Sequence, residues 1–99
     1  MFRIVAVYNQ PDDPEAFLAH YRSSHAVLTA KVPGVRSFTW GPATNLDGSP
    51  SEAFQIAEID FDSREDAIRG LTQTPEGAAA NADLEDLPHN GLSMYTYEF

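Results

Sequence analysis

Cysteine is absent from the 99 residues of this chain. Its absence excludes a disulfide framework, a thiolate nucleophile and any metal or iron–sulfur site that depends on cysteine ligands. A chain without cysteine also fits a reducing compartment, so we expect a cytoplasmic protein.

Basic residues are scarce as well. The chain has 6 lysine and arginine residues against 15 aspartate and glutamate residues, which gives a formal net charge of -9 at pH 7. Phosphate backbones and anionic membrane surfaces repel such a chain, so we expect neither a nucleic-acid partner nor a membrane partner.

Long apolar runs are also missing. No segment approaches the roughly 20 residues of a membrane-spanning helix. The N-terminal stretch MFRIVAVYNQ alternates in polarity like a strand. It lacks the apolar core and the small-residue cleavage site of a signal peptide.

Hydrophobic periodicity and turn residues predict four strands and two helices. Asp13 and Ser63 are the expected helix N-caps, and Pro33-Gly34 ends the first helix. Pro75 interrupts the second helix, and the weakly amphipathic segment after it adds a short helical stretch. The predicted strands are residues 2–9, 35–42, 53–61 and 91–99, and the predicted helices are residues 14–30 and 64–72.

This order of elements, β-α-β-β-α-β, is that of a ferredoxin-like fold in the α+β class. It predicts a four-stranded antiparallel sheet with both helices on one face, formed by residues 1–99 as a single domain. In the first strand Phe2 and Ile4 alternate with Val5 and Val7, so both faces of the sheet are apolar. Since an uncovered apolar face is a liability in a monomer, we expect a homodimer in which two sheets pack together.

The first predicted helix carries two histidines. With Phe17 at zero and about 100° per residue, Tyr21 falls near 40° and His25 near 80°, on one apolar stripe. His20 falls near 300°, about 140° from His25, and is expected on the solvated surface. The two are not an i, i+4 pair that shares a metal ion, and His89 lies in a distant loop, so we expect no metal site.

Two interpretations of His25 stay open at this point. It is either a core histidine bonded to a backbone carbonyl, or a general acid/base at the wall of a pocket, where burial tunes its pKa. Ser24 projects about 100° away from His25 on an α-helix, so these two residues are not a nucleophile–base pair. Asp83, Glu85 and Asp86 are interpreted as a solvated acidic face.

A set of short blocks spread over nearly the whole chain forms a further pattern. It consists of Tyr8, Pro11, Pro14, Phe17, Tyr21 and His25, then Leu28 and KVPGV at 31–35, FDS at 61–63, PEG at 75–77 and Asp83. The pattern resembles the EthD family, which is named for a gene found with ethyl tert-butyl ether degradation. That family often has a Tyr-Tyr pair ahead of the histidine, and this chain has His20-Tyr21 there.

The resemblance implies a dimeric α/β barrel, in which two sheets pair and the helices lie outside. EthD members look like auxiliary proteins of oxidative catabolic pathways and are often named reductases. Superfamily relatives include cofactor-free monooxygenases, lactone isomerases, polyketide cyclases and haem enzymes, and the shared fold does not choose among these functions. The resemblance also implies a functional His25 with Tyr21 one turn away, and we expect no haem or other cofactor.

Further candidate residues depend on which face of a strand lies under the helices. Glu58 orients the His25 tautomer if its side of the third strand is the covered one. If Ala57 and Ile59 are covered instead, Glu58 points to the dimer interface. The candidates for lining a ligand pocket, or alternatively for core or dimer contacts, are Phe17, Phe38, Trp40 and Tyr8.

Two functions follow from these residues. The first is a cofactor-free oxidoreductase, isomerase or cyclase that acts on a small, largely apolar carbonyl or phenolic compound, with His25 as acid/base and Tyr21 assisting. The second is a non-catalytic small-molecule carrier or an accessory protein of an oxygenase system. A pocket that reaches His25 and Tyr21 favours the enzyme, whereas a filled core around His25 favours the second function.

Overall fold

The computed structural model describes residues 1–99. Its elements in chain order are β1 (Phe2–Asn9), α1 (Pro14–His20), a π-helical turn (Tyr21–His25), α2 (Ala26–Ala30), β2 (Ser37–Thr44), β3 (Pro50–Phe61), α3 (Arg64–Thr72), α4 (Pro75–Asp86) and β4 (Leu92–Glu98). The strand boundaries differ from prediction by up to three residues, because β2 begins at 37 rather than 35 and β3 at 50 rather than 53.

The four strands form one sheet in the order β2-β3-β1-β4. Every neighbouring pair is antiparallel, and Ala6 at the centre of β1 lies opposite Ala57 of β3 and Met94 of β4. The strands β1 and β3 therefore form the middle of the sheet. This topology confirms the predicted ferredoxin-like α+β fold.

One face of this sheet is buried under the helices. The even-numbered residues of β1 from Phe2 to Tyr8 are buried, while the residues between them are only half-buried. Ala57, Ile59 and Phe61 of β3 are buried beside them. Because side chains alternate along a strand, these residues fix which side of β3 faces the helices.

Glu58 lies on the opposite face of β3. Its carboxylate is 3.3 Å from Arg3, which also donates two hydrogen bonds to Asp60 at 2.7 and 2.8 Å. His25 lies on the helix side, where it bonds a different carboxylate. The predicted His25–Glu58 pair is therefore wrong, and the alternation of β3 is the physical reason.

The first helical region is not the uninterrupted α-helix predicted for residues 14–30. It begins as expected, because the Asp13 side chain accepts the Ala16 N–H at 3.1 Å. At the end of the π-helical turn, however, the Ala26 N–H donates to the carbonyl of Tyr21, five residues earlier. Such π-helical turns are rare and are found often at functional sites.

The segment after Pro75 is a full helix of 12 residues, so the prediction of a short helical stretch is wrong. Pro75 begins α4 rather than interrupting α3, since proline is well suited to the first position of a helix. The Thr74 hydroxyl caps α4 by accepting the Gly77 N–H at 3.0 Å. The hydrophobic periodicity of α4 is weak because small buried residues, such as Gly77 and Ala80, lie on its packed face.

The second face of the sheet is open and apolar. No helix packs on it, and large side chains remain exposed there: Ile56 (37 %), Tyr95 (63 %), Tyr97 (47 %) and Phe99 (58 %). Arg3 lies among them, with its guanidinium carbon 4.7 Å from the centre of the Phe99 ring. None of the helices in the structure has the length and apolarity needed to cross a membrane.

We predict that Gly77→Ala destabilises the protein. An added Cβ would overlap the carbonyl oxygen of Gly70, which is backbone and has little room to move. Alanine gains about 1 kcal/mol of helix propensity over glycine, but overpacking costs about 1–3 kcal/mol, so we expect a lower free energy of unfolding. Urea denaturation measures it, and Ala79→Gly is the control, because it measures helix propensity alone at an exposed position of the same helix. An unchanged midpoint for Gly77→Ala would show that α3 and α4 separate easily.

Candidate functional site

The carboxylate of Asp83 on α4 is the centre of a polar cluster inside the protein. Its Oδ1 accepts hydrogen bonds from Ser24 at 2.8 Å and from His20 Nε2 at 3.0 Å. Its Oδ2 accepts a hydrogen bond from His25 Nδ1 at 3.0 Å. Three side chains of the first helical region therefore bind one side chain of the last helix.

Two predictions about this cluster are wrong. Asp83 is 7 % exposed rather than part of a solvated face, and His20 bonds it instead of lying free on the surface. The π-helical turn explains the position of His20. In such a turn the backbone bonds join residues five apart, so His20 and His25 lie on neighbouring turns of one side. The 140° separation applies only to an ordinary α-helix.

Asp83 is held in its ionised form. Burial on its own raises the pKa of this carboxyl group, but the hydrogen bonds from Ser24, His20 and His25 outweigh it, so the pKa lies below its ordinary value. An ionised carboxylate only accepts hydrogen bonds. The facing nitrogens, Nε2 of His20 and Nδ1 of His25, must therefore each carry a proton.

For His25, in contrast to Asp83, the effect of burial on the pKa is larger than the effect of the hydrogen bond. Burial lowers the pKa of its imidazole below the ordinary 6.5, and this effect exceeds the contribution of Asp83, which raises it. The ring is therefore neutral at pH 7, with its proton on Nδ1. Its Nε2 makes no hydrogen bond within the protein, and His25 lines a cavity. The free lone pair of Nε2 makes His25 a candidate proton acceptor.

The cavity lies between the helices and the covered face of the sheet and has a volume of about 70 Å³. Apolar side chains from the strands and from α4 form most of its wall. Its polar lining is His25, Tyr8, Tyr21, Thr29 and Asn81.

Tyr8 and Tyr21 remain protonated at neutral pH. Burial raises the pKa of the Tyr8 hydroxyl to about 12, with a smaller opposing effect from Tyr21. Burial, together with Tyr8, raises the pKa of Tyr21 still further, and Gln55 opposes that rise. Both hydroxyl groups therefore keep their protons, and the two tyrosines interact with each other beside the cavity.

The structure brings four of the predicted site residues to this cavity: His25, Tyr21, Tyr8 and Phe38. Phe17 and Trp40 lie behind Tyr21, with ring centres 5.7 and 4.8 Å from its own, and they do not line the cavity. Glu58 is on the other face of the sheet, as described above.

Sequence reasoning missed five polar residues of this region, namely Asp83, Thr29, Ser24, His20 and Asn81. A signal for Asp83 does exist in the sequence. Gly77, Ala80, Asp83 and Leu87 are all buried and recur every three or four residues, which is the spacing of one helix face. An acidic residue on such a stripe requires a buried partner.

The third histidine has a structural role. The Nδ1 of His89 accepts the Gly91 N–H at 2.9 Å, and its Nε2 donates to the carbonyl of Leu84 at 3.1 Å. Both ring nitrogens are therefore used in joining α4 to β4. No group of three or more His, Asp or Glu side chains has a geometry that would hold a metal ion.

Comparison with known proteins identifies relatives of this chain, although no family model matches it. An uncharacterized 11.0 kDa protein of Rhodococcus erythropolis, from the thcB-thcC intergenic region, is 38% identical over 94 residues, covering 95% of this chain and 90% of the relative. An ethyl tert-butyl ether degradation (EthD) family protein from Bacillus halodurans has a crystal structure that matches 100% of this chain and 98% of its own, with a TM-score of 0.90 and 29% identity.

More distant structures share the fold. A dimeric protein with a ferredoxin-like fold from Bacteroides fragilis has a TM-score of 0.70 at 22% identity, covering 99% of this chain and 95% of its own. The cofactor-independent oxygenase SnoaB from Streptomyces nogalater has a TM-score of 0.69 at 15% identity, covering 99% and 91%. The full-length match above shows that this chain is similar to an EthD family protein in sequence and fold, whereas the more distant structures share only its fold.

Proposed function

We propose that this protein binds a small, largely apolar carbonyl or phenolic compound in the cavity beside His25, and that His25 acts there as a general acid/base without a cofactor. One observation carries the proposal. The neutral imidazole is held by Asp83 through Nδ1, which leaves Nε2 without a hydrogen-bond partner on a ring that lines a mainly apolar cavity. A base held by a second group is a common arrangement for proton abstraction.

The chemistry follows from the protonation states of the residues that line the cavity. Nε2 of His25 takes a proton from a carbon next to a carbonyl group, or from a phenol hydroxyl, and the electron pair is delocalised onto the substrate oxygen. Tyr8 or Tyr21 donates a hydrogen bond to that oxygen. Return of the proton to a different atom gives an isomer, while attack of the substrate anion on dissolved O₂ gives an oxygenated product.

The distant similarity to a cofactor-independent oxygenase is compatible with this chemistry but establishes only the fold.

The cavity size favours a second candidate function. Its volume of about 70 Å³ is roughly half of the 150 Å³ cavity that holds a benzene ring. A ring-sized ligand therefore requires a side chain such as Met94, which is 53 % exposed at the lining, to move. A small-molecule carrier or an oxygenase accessory protein uses such an adaptable cavity without chemistry.

We further propose that residues 1–99 act as one domain in a cytoplasmic homodimer, in which the open sheet faces of two copies pack together. The exposed Ile56, Tyr95, Tyr97 and Phe99 supply the apolar surface for this contact. The ferredoxin-like protein from Bacteroides fragilis is dimeric, which supports a dimer for this chain. The catalytic proposal does not depend on the dimer, because the cavity lies on the other side of the sheet.

The dimer predicts a particle of twice the 10.9 kDa chain mass in light scattering. Ile56→Lys places a charge on the open face and is expected to shift the protein toward the monomer, because burying an unpaired ammonium group is costly. Ile68→Lys makes the same chemical change at an exposed position of α3 and is expected to leave the dimer intact. A monomer mass for the unaltered protein at micromolar concentration would exclude the proposed association.

The catalytic proposal predicts that His25→Gln lowers kcat by about 10²–10⁴-fold with little change in KM, because the proton acceptor is lost while the apolar cavity remains. Phenol and acetophenone are suitable first probes, with binding followed by NMR shifts of Tyr8 and His25, and turnover by mass spectrometry and oxygen uptake. Ser23→Ala is the control, since its hydroxyl bonds only the Ala19 carbonyl of its own helix. Equal turnover by His25→Gln and the unaltered protein would exclude His25 as the acid/base. Binding without turnover by the unaltered protein would favour the small-molecule carrier.

The Asp83–His25 bond predicts a change in titration. The Asp83 carboxylate favours the charged imidazole and raises the pKa of His25. Asp83→Asn removes that charge, so the NMR titration midpoint of the His25 ring is expected to fall further below 6.5. Asp86→Asn makes the same change of charge at an exposed position and is expected to leave the midpoint unchanged. A midpoint in Asp83→Asn at or above that of the unaltered protein contradicts the arrangement.

A further inference from the structure

Two imidazole rings bind one buried carboxylate in this protein. The side chains of His25 and Asp83 are 9 % and 8 % exposed, whereas His20, on the other oxygen of the carboxylate, is 28 % exposed. The cluster therefore extends from the cavity, through Asp83, to a histidine that solvent can reach. The acid/base chemistry proposed above uses His25 and leaves His20 unexplained.

The two carboxylate oxygens of Asp83 are occupied differently. Oδ1 accepts from both Ser24 and His20, while Oδ2 accepts only from His25. With Oδ1 occupied by two donors from the first helical region, the carboxyl group cannot rotate without breaking hydrogen bonds in the interior. Oδ2 is thereby fixed toward His25 Nδ1.

The π-helical turn is what makes this double occupation possible. In an α-helix, residues five apart point about 140° away from each other, and His20 would face away from Asp83. The turn begins directly after His20 and ends at His25, so it sets the relative direction of the two histidines. Because π-helical turns are rare and are found often at functional sites, this turn indicates that directing both histidines toward Asp83 has a role.

We propose that His20 is a positioning residue: it orients the Asp83 carboxylate and sets how strongly that carboxylate supports the base His25. The proposal rests on the assignment of His25 as the base. His25 and His20 compete for the same negative charge, because a protonated His20 neutralises part of the charge that would otherwise stabilise a protonated His25. A partly exposed side chain thus influences the basicity of a ring that lines the cavity.

Other titratable groups also face His25 and must be separated from this effect. Asp83 faces it from α4, Tyr8 from β1 and Tyr21 from the same helical region. His89 lies in the loop before β4, and a positive charge on its ring lowers the pKa of His25, as a charge on His20 does. Both ring nitrogens of His89 bond the backbone, so His20 is the member of this group that a substitution can change with the least disturbance.

The test is an NMR titration of the His25 ring in His20→Gln. Glutamine keeps an N–H donor for Asp83 but never carries a charge, so the His25 midpoint is expected to rise above that of the unaltered protein. Ser23→Ala, in the same π-helical turn, is the matched control and is expected to leave the midpoint where it is. A thermal unfolding midpoint for each variant separates this effect from a loss of structure.

A His25 midpoint in His20→Gln equal to that of Ser23→Ala overturns the inference. This result is obtained without a substrate. A failure of phenol or acetophenone turnover tests the proposed function separately.

Discussion

The structure around the candidate site depends on a buried carboxylate that has to remain ionised. Removing one partner of a buried charge costs about 3–5 kcal/mol, so Asp83 requires its hydrogen bonds from Ser24, His20 and His25. These bonds join α4 to the first helical region, and they determine which nitrogen of each histidine carries a proton. The free Nε2 of His25 is a consequence of that requirement.

The same requirement explains the irregular helix. A regular α-helix presents one of the two histidines to α4 and turns the other away. The π-helical turn at Tyr21–His25 brings both to the same carboxylate and leaves Tyr21 in the aromatic core, where its ring packs against Phe17 and Trp40. Backbone irregularity, core packing and candidate chemistry are therefore combined in five residues.

The sheet divides the remaining functions between its two faces. The covered face contributes Tyr8 and small residues such as Ala6 and Ala57, which leave space for a cavity beside His25. The open face carries exposed aromatic side chains together with the Arg3–Asp60 pair. Because side chains alternate along a strand, association through one face leaves the cavity on the other face unobstructed.

The order of the elements, the fold class and the inward position of His25 and Tyr21 were determined by the sequence itself, since periodicity and caps are local properties. Asp83 and His20 were not, because their roles depend on a contact between helices some sixty residues apart and on a π-helical turn that residue spacing does not reveal. The structure was also needed to place Glu58. The alternation of side chains along β3 defines two faces of the strand but does not show which face the helices cover. Local chemistry thus specified the elements, and only their packing decided which polar groups meet.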